Sequence, residues 1–149
     1  AGHIIQVKHG TTAGAYTGTT DDPTIYVDCG SLAITPASTS NKIFIMVTGA
    51  VGPTISGSQT VSRCYAAIWH TSFTSNGDNM IGYAPLVGFQ NFAYSNGSDA
   101  YFRCPLHLAH LHSPSTTSAI TYGYAAKRAG TSDSKSRCEG NITLIEIRG

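Results

Sequence analysis

This sequence has few charged residues: only 17 of its 149 residues are Lys, Arg, Asp or Glu, and the formal net charge is +1. Because 41% of the residues are apolar, the chain lacks the low hydrophobicity and high net charge of a disordered segment. It also lacks the surplus of Lys and Arg that neutralises phosphates, so we expect no nucleic-acid partner. No apolar run approaches the ~20 residues of a membrane-spanning helix, so we expect no membrane partner either.

Motifs of known catalytic chemistry are also lacking. The chain has no G-x-S-x-G, no G-x-x-x-x-G-K-[ST], no H-E-x-x-H and no G-x-G-x-x-G after a strand. The eight acidic residues are scattered, and no pattern selects two of them as a pair for glycoside hydrolysis. The sequence therefore predicts no enzyme activity, no catalytic residue and no cofactor.

The four cysteines lack the close C-x-x-C spacing that zinc knuckles and thioredoxin-like sites require. They are Cys29, Cys64, Cys104 and Cys138, and three of them directly follow an arginine. Since adjacent residues of a strand face opposite sides, this pattern favours buried thiols beside solvated arginines. One or two disulfides are the alternative.

What the sequence does contain is short strand-like runs between turns rich in Ser, Thr and Gly. The segment Lys42–Thr48 is apolar on both faces, as expected of a central strand buried between two layers. Two Asn-Gly pairs, Asn76-Gly77 and Asn96-Gly97, are the strongest hairpin signals. The predicted strands are His3–His9, Thr24–Asp28, Ser31–Ile34, Lys42–Thr48, Thr60–His70, Pro85–Phe92, Ala100–His112 with a break at Pro105, Ala119–Lys127 and Ile142–Ile147.

This pattern predicts an all-β fold, an antiparallel β-sandwich or jelly roll, in a single domain over residues 1–149. Residues 1–20 are predicted to form a strand plus an extended arm. The solvent-facing positions of the strands carry Ser, Thr, Gln and Tyr more often than Lys and Glu. A surface with so few charges does little to prevent copies of the chain from associating. The composition therefore points to an assembly of repeated copies.

Three histidines in six residues, His107, His110 and His112, suggest a metal site because neutral imidazole is a good ligand for transition metals. On a strand, His110 and His112 share one face while His107 takes the other. A symmetric trimer could gather six imidazoles from His110 and His112 at its axis, as in some trimeric phage fibre tips. The alternative is that these are structural histidines bonded to backbone, water or a neighbouring subunit.

Aromatic residues interleaved with Asn, Gln and Gly occupy positions 83–102, a composition that suits a protein interface or stacking on carbohydrate. Alternating aromatics in β-rich segments are more often core residues or subunit contacts. The basic pair Lys127-Arg128 is also a candidate for contact with a partner. The alternative is that it lies in a solvated loop. The candidate interface or glycan contacts are Tyr83, Phe92, Tyr94, Tyr101, Lys127 and Arg128.

Four segments, in order along the chain, resemble small virion proteins and tail-fibre domains of tailed bacteriophages, including cyanophages. They are Gly2–Val7 (GHIIQV), Ile34–Val47 (ITPASTSNKIFIMV), Ser113–Tyr122 (SPSTTSAITY) and Ile142–Ile147 (ITLIEI). The aromatic stretch and the histidine run lie outside this pattern. The resemblance implies a jelly-roll-like structural protein of a virion, assembled as a homotrimer, with no catalytic residues.

The resemblance implies two competing functions. In the first, the chain is a capsid decoration or cement protein that binds the major capsid protein lattice at the capsid surface, after assembly in the bacterial host cytoplasm. Thiols there are expected to stay reduced. In the second, it is a tail-fibre or receptor-binding tip domain that recognises host surface glycan through its aromatics. We expect the first, because the sequence contains no fibre-like shaft or coiled coil.

Overall fold

The computed structural model of the chain describes residues 2–17, 26–55, 62–74, 76–83, 100–101, 103–130 and 134–149. Regular structure in these ranges is entirely β, as the sequence predicts. The strands are β1 (Ile4–Thr17), β2 (Val27–Ile34), β3 (Lys42–Ile55), β4 (Ser62–His70), β5 (Met80–Tyr83), β6 (Ala100–Tyr101), β7 (Cys104–His112), β8 (Ile120–Gly130) and β9 (Ser134–Ile147). The described part of the chain contains no helix with the length and hydropathy needed to cross a membrane.

The strands form two antiparallel sheets. Sheet A has the order β1-β9-β3, with β7 and the short β6 pairing the other side of β3; sheet B has the order β2-β8-β4-β5. With β6 set aside, the pairing is nested: β1 pairs β9, β2 pairs β8, β3 pairs β7, and β4 pairs β5. A long antiparallel hairpin rolled into two layers gives this nesting, which is the jelly-roll form of the predicted sandwich.

The hydrophobic core lies between the sheets and is built by alternate residues of each strand. On β3, Ile43, Ile45 and Val47 are fully buried, and their cross-strand partners on β9 include Ile142 and Leu144. The facing side chains of sheet B come from β2, β4 and β8. They include Ile34, Ala66, Ile68, Tyr122, Tyr124 and Ala126.

A β-bulge corrects the prediction of two separate strands at 24–28 and 31–34. Residues of β2 pair with β8 on both sides of Cys29, and the register shifts between Asp28 and Gly30. Gly30 has a φ of 135°, a conformation that glycine accepts readily. The bulge turns the Cys29 side chain into the core, where it is buried.

That cysteine is not a free thiol, so the prediction of buried thiols is wrong for two of the four cysteines. Cys29 on sheet B forms a disulfide with Cys138 on β9 of sheet A, across a sequence separation of 109 residues. Their Cα atoms are 5.8 Å apart, within the usual range for a bridge. The bond therefore joins the two sheets through the core.

Two further predictions about strands are corrected. Residues 4–17 form one long strand paired with β9, in place of a short strand followed by an arm. The break predicted at Pro105 comes earlier, between Tyr101 and Cys104, and Pro105 lies inside β7. It is tolerated because β7 pairs only β3 among the described strands, which leaves one side without a ladder. The predicted strand Pro85–Phe92 and the Asn96-Gly97 turn lie outside the described residues.

Trp69 is buried in a separate cluster on the outer surface of sheet B. It lies over Gly123, where an added Cβ would collide with the indole ring. Its Nε1–H donates to Asp28 Oδ1 at 3.3 Å. Tyr26 and Phe73 belong to the same cluster, so the chain itself covers this part of the outer surface of sheet B.

Candidate functional site

The outer face of sheet A is the candidate site, and its composition follows from strand register. Residues paired across neighbouring antiparallel strands point to the same side of a sheet. On β3, Phe44 and Met46 alternate with the buried Ile43 and Ile45, so they point away from the core. One row of outward partners across β1, β9, β3 and β7 is Val7, Ile145, Phe44 and Leu111.

The rows on either side extend this surface. The next row towards the middle of β3 is His9, Thr143, Met46 and Ala109, and the row at the start of β3 is Ile4, Ile147 and Lys42. We call the outward apolar residues of these rows the apolar face. Its members are Ile4, Val7, Phe44, Met46, Ala109, Leu111, Ile145 and Ile147.

The apolar face is open to solvent in the chain as it stands. Ile4 is 64% exposed, Val7 56%, Leu111 49% and Met46 37%. Large apolar side chains that are exposed next to one another mark interaction sites more often than scattered ones do. The sequence prediction for Lys42–Thr48 is thus half right: the strand is central, but the layer that would cover its second face is not part of the described chain.

A recess marks one end of the apolar face. It is lined by Gly2, Lys42, Leu111, Ile147, Arg148 and Gly149. Leu111 and Ile147 belong to the apolar face, while Lys42 and Arg148 are exposed cations at its border. The recess therefore combines apolar walls with two positive charges.

A buried carboxylate organises the same end of the molecule from the inside. Glu146 on β9 is fully buried and accepts hydrogen bonds from Asn41 Nδ2 at 2.6 Å, Gln6 Nε2 at 2.6 Å and the Ala37 backbone N–H at 2.7 Å. Burial acts to raise the pKa of Glu146, but these three donors outweigh it and lower the pKa below its usual value. Gln6 Nε2 also donates to the Thr35 carbonyl.

This network brings together residues from three of the four segments that resemble virion proteins. Gln6 comes from the first segment, Ala37 and Asn41 from the second, and Glu146 from the last. Their side chains and backbone meet at one carboxylate, so the network fixes the loop before β3 against β1 and β9. The shared segments therefore support the sheet that carries the apolar face.

The histidine run has the predicted alternation but a different setting. His110 and His112 pair with the inward residues of β3, while His107 pairs with the outward Thr48. The His112 ring lies 4.8 Å from the ring of His70 on sheet B, centroid to centroid, and its Nδ1 is 2.8 Å from the Tyr122 hydroxyl. Sequence reasoning missed His70, because nothing local places the end of β4 opposite β7.

A metal site at a trimer axis would need these imidazoles on an outer surface. In the structure, His112 is stacked on His70 and bonded to Tyr122, on the inward side of β7. Within the described ranges, no three His, Cys, Asp or Glu side chains are arranged to hold a metal ion. The arrangement fits the structural alternative for His112.

The histidine cluster predicts a stability that falls in mild acid. Burial, together with the nearby His110, lowers the pKa of His70 and of His112 below the ordinary 6.5. Each ring therefore binds its proton more readily in the unfolded chain, so this part of the stability is complete above pH 6.5 and is lost as the pH falls below it. We expect the free energy of urea unfolding to decline over that range.

The double variant His70→Gln/His112→Gln should decline less over the same pH range. His9→Gln is the matched control, because His9 is exposed on β1 and bonds only Thr143 among the described contacts. A wild-type stability that does not change between neutral pH and pH values just below 6.5 would contradict the assignment.

The structure describes only some of the predicted aromatic and basic contact residues. Phe92 and Tyr94 lie outside the described residues, and the structure gives backbone positions alone for Tyr83 in β5, Tyr101 in β6 and Arg128 in β8. Lys127 is described fully: its ammonium lies 4.7 Å from the centre of the Tyr26 ring and 5.7 Å from that of Tyr65. These cation–π contacts hold Lys127 on the outer surface of sheet B, away from the apolar face.

Comparisons with known proteins give distant likenesses. No family model matches the chain, and a search of curated proteins finds no match. Among solved structures, the chain is similar to the VP2 subviral particle of infectious bursal disease virus (14% identity, TM-score 0.44), to the Gt strain of that virus (14%, 0.36) and to its Gx strain (10%, 0.32).

These likenesses span nearly the whole of this chain, 97%, 97% and 100%, but only 33%, 33% and 32% of the matched chains. Because every TM-score is below 0.5, we base neither fold nor function on them. The fold assignment rests on the strand pairing itself.

Proposed function

We propose that the chain is a structural protein of a tailed-bacteriophage virion, a capsid decoration protein that binds the major capsid protein lattice. In this proposal it forms homotrimers, is assembled in the bacterial host cytoplasm and stabilises the head from the capsid surface. It has no enzymatic role. The observation that carries the proposal is the apolar face: a solvent-exposed apolar surface that crosses strands β1, β9, β3 and β7 of sheet A.

Two further features support the proposal. The resemblance to small virion proteins spans both ends and the middle of the sequence, and three of its segments meet at Glu146 beneath the apolar face. The row after that of His9 is Thr11, Asn141, Thr48 and His107. Together with the rows of Val7 and His9 it makes twelve outward positions, and none of them is Lys, Arg, Asp or Glu. Charged residues are depleted at the centres of protein interfaces for the same reason, the cost of removing them from water.

The proposal is tested on particles made with and without the chain. Heads that lack it should release their genome at a lower temperature than complete heads, and antibody against the chain should label the whole head surface in electron micrographs. Equal heat tolerance of the two kinds of head, or label confined to the tail, would contradict a decoration role. The number of subunits in solution, measured by sedimentation equilibrium, tests the homotrimer separately.

A further inference from the structure

We propose that the apolar face docks, with its recess, on another protein whose apolar surface is bordered by carboxylates, and not on a second copy of the same face. This inference rests on the proposed function and specifies its partner: the surface of the capsid lattice that the chain covers. The argument comes from the charges around the apolar face.

The border of the apolar face is cationic. Lys42 and Arg148 flank the recess. Both are exposed, and the structure records no ion pair for either among the described residues. This end of sheet A therefore presents two positive charges beside an apolar surface.

The carboxylates of the described residues do not balance these charges. Glu146 is buried beneath the sheet and held by three donors, and Glu139, nearer the middle of β9, forms a 2.8 Å ion pair with Arg103. Asp28 bonds Trp69 on sheet B, and Asp78 lies in the connection between β4 and β5. Among the described side chains, none pairs with Lys42 or Arg148, which leaves both cations available to a partner.

Charge complementarity selects the kind of partner. If two copies packed this end of sheet A against itself, four cations would meet around a dehydrated apolar contact, which costs free energy through like-charge repulsion. A partner with apolar side chains and carboxylates at its rim would cover Val7, Phe44 and Leu111 and meet Lys42 and Arg148. A carboxylate entering the recess would reach both cations while its carbon chain contacts Leu111 and Ile147.

The test uses heads assembled without the chain as the probe. Purified labelled chain is sedimented with these heads at low and at high salt. We expect the double variant Lys42→Glu/Arg148→Glu to bind about tenfold more weakly than wild type at low salt, with a smaller difference at high salt because exposed charges are then screened. Leu111→Lys should bind at least about tenfold more weakly at both salt concentrations, because docking buries its ammonium.

Lys127→Gln is the control, since it removes a cation from the outer surface of sheet B. Equal binding of wild type and both apolar-face variants would overturn the docking proposal while leaving the decoration role intact. Failure of wild type to bind heads at all would contradict both. If the purified chain self-associates and Leu111→Lys abolishes that association, the occupant is a second copy and the acidic partner is ruled out.

Discussion

Replacing Glu146 by Ala should destabilise the chain by about 2–4 kcal/mol, because a hydrogen bond to a charged group contributes about 1.5–3 kcal/mol and a buried donor without an acceptor costs about 1–3 kcal/mol. The carboxylate accepts from Asn41, Gln6 and the Ala37 backbone N–H. Without it, the buried Asn41 amide and the part-buried Ala37 N–H lose their acceptor. Urea unfolding at neutral pH measures the change.

Glu146→Gln separates the charge from the hydrogen bonds. It keeps one acceptor oxygen, so we expect a smaller loss at neutral pH than for Ala. Because the pKa of Glu146 is lowered on folding, its contribution is complete above pH 4.5 and is lost as the pH falls below that value, whereas Gln has no such loss. Glu139→Gln, at the half-buried ion pair with Arg103, is the control. A near-wild-type stability of Glu146→Ala would show that the network is dispensable.

Removing the disulfide with Cys29→Ala/Cys138→Ala should lower the free energy of unfolding by about 2–5 kcal/mol. The bond closes a sequence separation of 109 residues, and long closed loops restrict the unfolded chain most. It also joins the edge strand β2 of sheet B to β9, which lies between β1 and β3 of sheet A. Unfolding of wild type and variant, each with and without reductant, measures the effect.

Reductant supplies the internal control for this prediction. It should lower the stability of wild type towards that of the variant and leave the variant almost unchanged. In the proposed function the chain is assembled in a host cytoplasm, where thiols are kept reduced, so the same comparison would then give its stability before and after it leaves that compartment. A wild-type chain whose stability does not respond to reductant would contradict the cross-sheet bond.

The sequence predicts the strands of this fold better than the contacts between its two sheets. The strand-like run Thr60–His70 and the Asn76-Gly77 pair locate β4 and the turn after it, although the sequence does not predict β5. The unbroken apolar run Lys42–Thr48 identifies the central strand. The Cys29–Cys138 bond could not be predicted, because it depends on a bulge that turns Cys29 inward and on the placement of β2 opposite β9. Both are properties of the folded chain.

The sequence likewise predicts some features of the candidate site and not others. Glu146 alternates along β9 in phase with Ile142 and Leu144, which are buried. From this spacing the sequence could predict that the Glu146 carboxylate is buried and needs hydrogen-bond donors. Nothing in the sequence places Gln6 and Asn41 around it. Likewise, the apolar residues on both faces of β3 predicted burial on both sides, but only the folded chain shows that the second face is open.

The oxidation rate of Met46 by peroxide, measured on the free chain and on particles, tests the central claim most directly. Met46 and Met80 are the two methionines; Met46 lies on the apolar face, and Met80 packs on the Trp69 cluster of sheet B. If the apolar face docks on the head, particles should slow oxidation of Met46 at least about tenfold while Met80 reacts as in the free chain. Equal oxidation of Met46 in both states would contradict the account.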